Sequence, residues 1–207
     1  MLKLKKFTPL QIIVHIGAWL PLIWLLWDYY TGNLTINPIQ AATQRTGKYA
    51  LILLVLSLAA TPANTLFGFR QALKVRRALG LYAFMSAAIH LTIFFGLEYG
   101  LDWGLLQGAI LEKRFVLVGL GAFLILLSLA VTSFKSSMKR MGKNWKSLHK
   151  LVYPILILAV LHFIWLVKAD FLEPIIYAAL AAAVLGFRVK SLKNHFLQRL
   201  QFNQSSV

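Results

Sequence analysis

Six apolar runs follow one another along the chain, at about residues 10–30, 46–65, 78–97, 114–134, 149–167 and 174–189. Each holds about 20 residues, enough for a helix rising 1.5 Å per residue to cross a hydrocarbon layer of about 30 Å. Lipid gives an exposed peptide group no hydrogen-bond partner, so runs of this length and spacing are restricted to helices. With 59% hydrophobic residues and a mean hydropathy of +0.70, a water-soluble globule would expose more apolar surface than water tolerates. The first run follows lysines, as a signal peptide does, but it is long, rich in Trp and lacks a small-residue cleavage site, so it reads as a retained span. The connecting segments leave no room for a soluble domain, and no internal repeat is evident. The expectation is an all-α integral membrane protein, a six-transmembrane-helix bundle forming one domain over residues 1–207. The tail from Arg188 onward reads as an amphipathic surface helix.

Charge orients this bundle. Lys3, Lys5 and Lys6, the Arg70–Arg77 cluster, the Lys135–Lys150 cluster and the basic residues from Arg188 onward all fall on one side of six spans. Only Arg45, Lys48, Lys113, Arg114 and Lys168, of 22 Lys and Arg, fall on the other. Basic loops stay cytoplasmic, so both termini are expected in the cytoplasm. All six acidic residues, Asp28, Glu98, Asp102, Glu112, Asp170 and Glu173, then lie outside. Topology and anionic membrane lipid account for the net charge of +16, and no nucleic-acid partner is expected. The outer segment 98–112 reads as an acidic loop suited to docking a partner.

Cysteine is absent, which removes disulfides, thiolate metal sites, iron–sulfur clusters and covalent haem attachment. Histidine remains. His90 and His162 each lie about 18 Å into the membrane from the cytoplasmic side, on spans running in the same direction. A lone intramembrane imidazole is most simply a helix-to-helix hydrogen bond, but two at one depth match the axial needs of a six-coordinate haem b. Phe84, Met85, Phe94, Phe95, Phe163 and Trp165 flank the pair. His149 sits at the cytoplasmic edge of span five, about 20 Å from His162 along the axis, a distance that suits two stacked sites. A straight helix would turn the two histidines about 140° apart, and Pro154 between them is able to kink it. Opposite His149 stand Arg76 and Arg77, while His15 is at comparable depth.

The stretches "RRALGLYAFMSAAIHL" (76–91), "GKNWKSLHKLVY" (142–153) and "LHFIWLVK" (161–168), preceded by "HIGAWLPLIWLLWDYYTG" (15–32) and "LAATPAN" (58–64), together resemble the MsrQ family, formerly YedZ. The resemblance runs through all six spans in order. It implies a haem b electron-transfer subunit in the bacterial inner membrane, in the ferric reductase-like superfamily. Such a subunit takes electrons from a cytoplasmic flavin reductase or the quinone pool, with FMN a further candidate cofactor. It passes them to MsrP, a periplasmic molybdopterin enzyme that reduces oxidised methionines, so the sulfoxide chemistry is on the partner. The resemblance places haem ligation on His90, His149 and His162, with Arg77 near a position where related superfamily members carry a second histidine. No nucleotide fingerprint accompanies a strand, so the electron donor is expected to be external. The competing reading is a small transporter or proton-relay protein whose histidines bind no haem. Against it, no carboxylate falls deep in a span.

Overall fold

Proline, asparagine and glycine set the helix limits in the computed structural model, which describes residues 7–204, with side chains for residues 7–188. Helix α1 (Pro9–Tyr30) starts with Pro9 in its first turn, and the Gln11 side chain accepts the Thr8 N–H at 2.9 Å. Helix α2 (Pro38–Phe67) is capped by Asn37, whose Oδ1 accepts from the Gln40 N–H at 3.1 Å, and ends at Gly68, φ +66°. Both starts combine proline's fixed φ with a satisfied orphan donor. Helix α3 (Arg70–Thr92) widens into a π-helical turn at Ile93–Glu98. Helix α5 spans Arg114–Val131, and α8 spans Val152–Leu166. The short basic helices α6 (Lys135–Met141) and α7 (Lys143–Leu148) meet at Gly142, φ +53°. Helix α9 runs Leu172–Gln204.

The described residues are all helical or irregular, with no strand. Five stretches are long and apolar enough to cross a membrane: Pro9–Tyr30, Pro38–Phe67, Arg70–Glu98, Arg114–Val131 and Lys143–Leu166. The sixth expected run, 174–189, lies within α9. Lys3, Lys5, Lys6 and the side chains beyond Arg188 lie outside the described residues, so the amphipathic character expected of the tail does too.

Three expectations need correction. Segment 98–112 is largely a helix, α4 (Trp103–Glu112), because Asp102 accepts the Leu105 N–H at 3.0 Å and caps it. Helix α2 begins well before residue 46, since the polar stretch after Pro38 is capped and continues in register. The run 149–167, expected as one span, is not one continuous α-helix. His149–Leu151 forms a 3₁₀ turn, and Pro154 falls in the first turn of α8, where its missing N–H has no helical partner to lose.

Helices α2, α3, α5 and α8 surround the core, with α9 closing one side. Leu54 and Leu58 of α2, Ala83 of α3, Ala122 and Leu126 of α5, Ile155 and Leu156 of α8, and Ala181 of α9 form one cluster. Small residues bring α2 and α3 close: Ser57 Oγ donates to the Arg76 carbonyl at 2.9 Å and lies 3.4 Å from where a Gly80 side chain would begin. Outward, α1 exposes Ile13, Trp24 and Trp27, an apolar surface suited to lipid.

Acidic side chains occupy one end of the bundle. There Arg45 of α2 pairs with Asp28 of α1, and Lys48 of α2 with Glu173 of α9 at 2.7 Å. Lys113 donates to the Tyr99 hydroxyl at 2.7 Å. Three of the five basic residues on the acidic side are therefore held by local partners.

Candidate functional site

A glycine one turn after a carbonyl decides where each intramembrane histidine rests. A helical side chain leans toward the N-terminus and covers the carbonyl one turn back. With glycine there, the carbonyl's second lone pair lies open to a neighbouring helix. His90 of α3 uses this opening on α2: its Nδ1–H donates to the Thr43 carbonyl at 2.8 Å, and its ring lies against Gly47. His162 of α8 does the same on α5, donating to the Phe115 carbonyl at 2.6 Å across Gly119. A methyl group on Gly119 would come within 2.6 Å of the His162 ring, and one on Gly47 within 3.0 Å of the His90 ring.

The two anchors are copies of each other. One sequence offset relates Thr43 to Phe115, Gly47 to Gly119 and His90 to His162, and donor and acceptor are 47 residues apart in both hydrogen bonds. The hairpins α2–α3 and α5–α8 are thus quasi-equivalent about the cavity. This is a repeat of positions with little repetition of residue types, which explains why no repeat is evident in the sequence.

The rings meet. Their centroids are 6.1 Å apart and their planes cross at 88°. With each Nδ1–H committed to a carbonyl, each Nε2 keeps a free lone pair, the tautomer that metal-ligating imidazoles use. Two metal–nitrogen bonds of about 2.0 Å each, plus the short distance from Nε2 to each ring centre, add up to nearly the observed separation. Among the described residues no three His, Cys, Asp or Glu side chains gather to hold a bare ion, so a metal here needs its remaining ligands from a cofactor.

The pair lies in a cavity of about 1200 Å³, somewhat above the usual range for ligand sites. Leu51, Leu54, Phe94, Phe123, Leu126 and Phe163 are among its apolar walls, and Lys113, Arg114 and Lys168 stand among the residues at its acidic-end rim. Phe95 and Trp165 join the lining, as expected from the sequence. Phe84 and Met85 do not line it; Phe84 instead stacks on Phe123, centroids 5.8 Å apart. The apolar walls and the two facing imidazoles fit a flat, largely apolar macrocycle.

His149 is elsewhere. Its ring stacks on Trp145 with centroids 4.0 Å apart, and Nε2 is 3.2 Å from the Thr132 hydroxyl. Trp145 is itself fixed by donating Nε1–H to the Thr132 carbonyl at 2.9 Å. The offset that carries His90 to His162 carries Arg77 to His149, so the first hairpin offers an exposed arginine where the second offers a histidine. Neither residue lines the cavity. His15 hydrogen-bonds the Tyr82 hydroxyl at 2.7 Å, a packing role between α1 and α3. Replacing His149 by alanine is expected to leave unshifted the visible spectrum of any chromophore that the His90–His162 pair holds, checked by absorbance of the purified variant. Gly47, Gly119 and the two carbonyls escaped sequence reasoning, although the common offset of glycine and histidine was available as a signal.

Comparison with known proteins agrees with this architecture. Residues 46–160 match the family described as "Ferric reductase like transmembrane component". The chain is 42% identical over 180 residues to the "Protein-methionine-sulfoxide reductase heme-binding subunit MsrQ" of Rhodospirillum rubrum, covering 86% of each chain. It is 41% identical to the protein of that name from Xanthomonas axonopodis pv. citri, covering 86% of this chain and 85% of the relative. With the one from Xanthomonas campestris pv. campestris it shares 43% identity, covering 85% and 84%. No solved structure matches. The chain belongs to the MsrQ family of ferric reductase-like membrane proteins.

Proposed function

We propose that the chain is the b-haem electron-transfer subunit of a protein-methionine-sulfoxide reductase. One observation carries this reading: His90 and His162 face each other across an apolar cavity, each with Nδ1–H tied to a backbone carbonyl and Nε2 left free. The relatives' names support it, since they describe heme-binding subunits of that reductase.

A haem b bound between these rings supplies a reversible one-electron carrier. The chain's own residues determine how well that carrier works. The Thr43 and Phe115 carbonyls orient the imidazoles and raise their basicity, favouring the oxidised metal. The apolar walls exclude water from the ligands. Lys113, Arg114 and Lys168 at the rim are the cations available to haem propionates. We assign one haem to His90 and His162. His149, stacked on Trp145 and beside the Thr132 hydroxyl, has no second histidine among these partners.

Polarity gives the direction of transfer. With the basic end cytoplasmic, 174–189 completes six spans of a single domain in the bacterial inner membrane, and both termini are cytoplasmic. The basic helices α6 and α7 then face the cytoplasm, where they suit an acidic flavin reductase or the phosphate of FMN; quinol is the alternative donor. The acidic end, with Asp102 exposed and Glu112 both exposed and lining the cavity, faces the periplasm and suits docking of MsrP.

The test follows a single chromophore. Purified protein is expected to show a sharp Soret band that shifts on dithionite reduction and returns when oxidised MsrP is added. A colourless protein, or a reduced band that MsrP does not reoxidise, would contradict the proposal.

A further inference from the structure

The basic end of the bundle buries a cation that lacks a counter-ion among the described residues. Arg188 of α9 is 8% exposed. Its Nη2 donates to the Thr61 hydroxyl of α2 at 2.7 Å, and its guanidinium lies 5.2 Å from the centroid of the Tyr153 ring. Its Nη1 is buried with no hydrogen-bond partner among the described residues. Arg76 of α3 reaches the same hydroxyl, Nη1 to Oγ1 3.4 Å. Two guanidinium groups from different helices therefore converge on one neutral oxygen. A buried charged donor without an acceptor is costly, and like charges sharing one acceptor repel.

No acidic side chain of this protein relieves the strain. Asp28 and Glu173 pair with Arg45 and Lys48 at the opposite end of the bundle, and the other four acids lie at that end too. Residues 189–207 contain neither Asp nor Glu. Asn64, one turn along α2 from Thr61, also buries its side-chain oxygen without a partner. With the amide turned over, the same position presents an N–H donor. No group among the described residues meets these donors, and an anion with several oxygens would satisfy donors arriving from three helices. Pro62, Leu66 and Phe187 line the small pocket beside Arg188, and Leu66 and Phe187 are about half exposed on the outer surface of the bundle.

We propose that Arg188, Arg76 and Thr61 form a binding site for a phosphate group. Forked guanidinium donors match phosphate geometry. The apolar outer walls suit an acyl-bearing source, the headgroup of an anionic phospholipid, while free phosphate offers the same oxygens. This site is separate from the histidine cavity, and its test does not depend on haem.

Purified full-length protein in neutral detergent is titrated with phosphatidylglycerol, phosphatidylcholine or inorganic phosphate. The thermal unfolding midpoint is followed, and native mass spectrometry counts retained lipid. Phosphatidylglycerol is expected to raise the midpoint and to persist as an adduct, whereas phosphatidylcholine, whose cation the arginines repel, does neither. Arg76→Gln should weaken the apparent lipid affinity about tenfold, the loss of one charge-assisted contact, and Arg188→Gln should abolish the adduct. Arg76 is exposed, so its variant carries the test should Arg188→Gln fail to fold. Lys74→Gln, on the same helix, should bind as the wild type does. Stabilisation by inorganic phosphate alone, lost in Arg76→Gln, keeps the site and identifies free phosphate as its ligand. Equal effects of the two lipids, or wild-type binding by Arg76→Gln, would overturn the proposal.

Discussion

Gly119→Ala is expected to purify as a folded helical protein carrying about a tenth or less of the wild-type haem. Two effects of the added methyl group oppose each other. Inside a helix, alanine is favoured over glycine by about 0.8–1.0 kcal/mol, which supports the fold. At the site, the methyl would lie 2.6 Å from His162 Nδ1 and 2.8 Å from Cε1, with the ring pinned by its bond to the Phe115 carbonyl. Relieving that overlap moves the imidazole off its carbonyl, at a cost of about 1–3 kcal/mol by analogy with overpacked cores. The steric term falls on ligand geometry and the favourable term on helix formation, so haem content and stability should separate. Gly47→Ala should show a milder loss, since its methyl would meet the His90 ring at 3.0 Å. Haem-to-protein ratio, read with circular dichroism on the same sample, checks both. A Gly119→Ala protein with full haem content would mean that the ring does not rest on α5 when the cofactor is bound.

His90→Ala and His162→Ala should each remove the low-spin spectrum altogether. Changes to the groups that orient a metal's ligands weaken affinity about 10–100-fold, and deleting the ligand itself removes the bond as well as its support. The two variants should behave alike, because the anchors are quasi-equivalent. His149→Ala supplies the contrast, since that ring is engaged with Trp145 and Thr132. Visible spectra of the three purified variants are the measurement. A low-spin spectrum surviving either His90→Ala or His162→Ala would remove that residue from the ligand set.

What was legible in the sequence followed from burial and periodicity. Apolar runs located the five helices long and apolar enough to cross a membrane, because the membrane constrains every residue of a crossing helix. The depth of His90 and His162 followed from counting residues along those spans, and the rings meet at 6.1 Å. The start of α2 was not legible, because residues 38–45, "PIQAATQR", look like a polar loop. That turn nonetheless supplies the Thr43 carbonyl that orients His90. Helix α4 was hidden for a related reason: its cap, Asp102, reads equally well as one more loop carboxylate.

The glycine anchors were missed for a different reason. Gly47 and Gly119 act by what they lack, exposing a carbonyl to a helix distant in sequence, and glycine is common enough in membrane helices to pass as packing filler. Only the pairing of each glycine with its histidine, at a common offset, distinguishes it from Gly121 or Gly186, which have open space around them. Arg188 poses a similar difficulty. In the sequence it is one of many basic residues expected on the cytoplasmic side, and its isolation is visible only once Thr61 and Arg76 are seen around it.

The central claim is that His90 and His162 together hold one iron porphyrin, and low-temperature electron paramagnetic resonance of the oxidised protein tests it most directly. Crossed imidazole planes, 88° apart here, donate into different iron d orbitals and leave them nearly degenerate, which produces a low-spin signal of large g anisotropy. One such signal per chain is the expected result. A high-spin signal, or no haem signal from a folded protein, would contradict ligation by this pair.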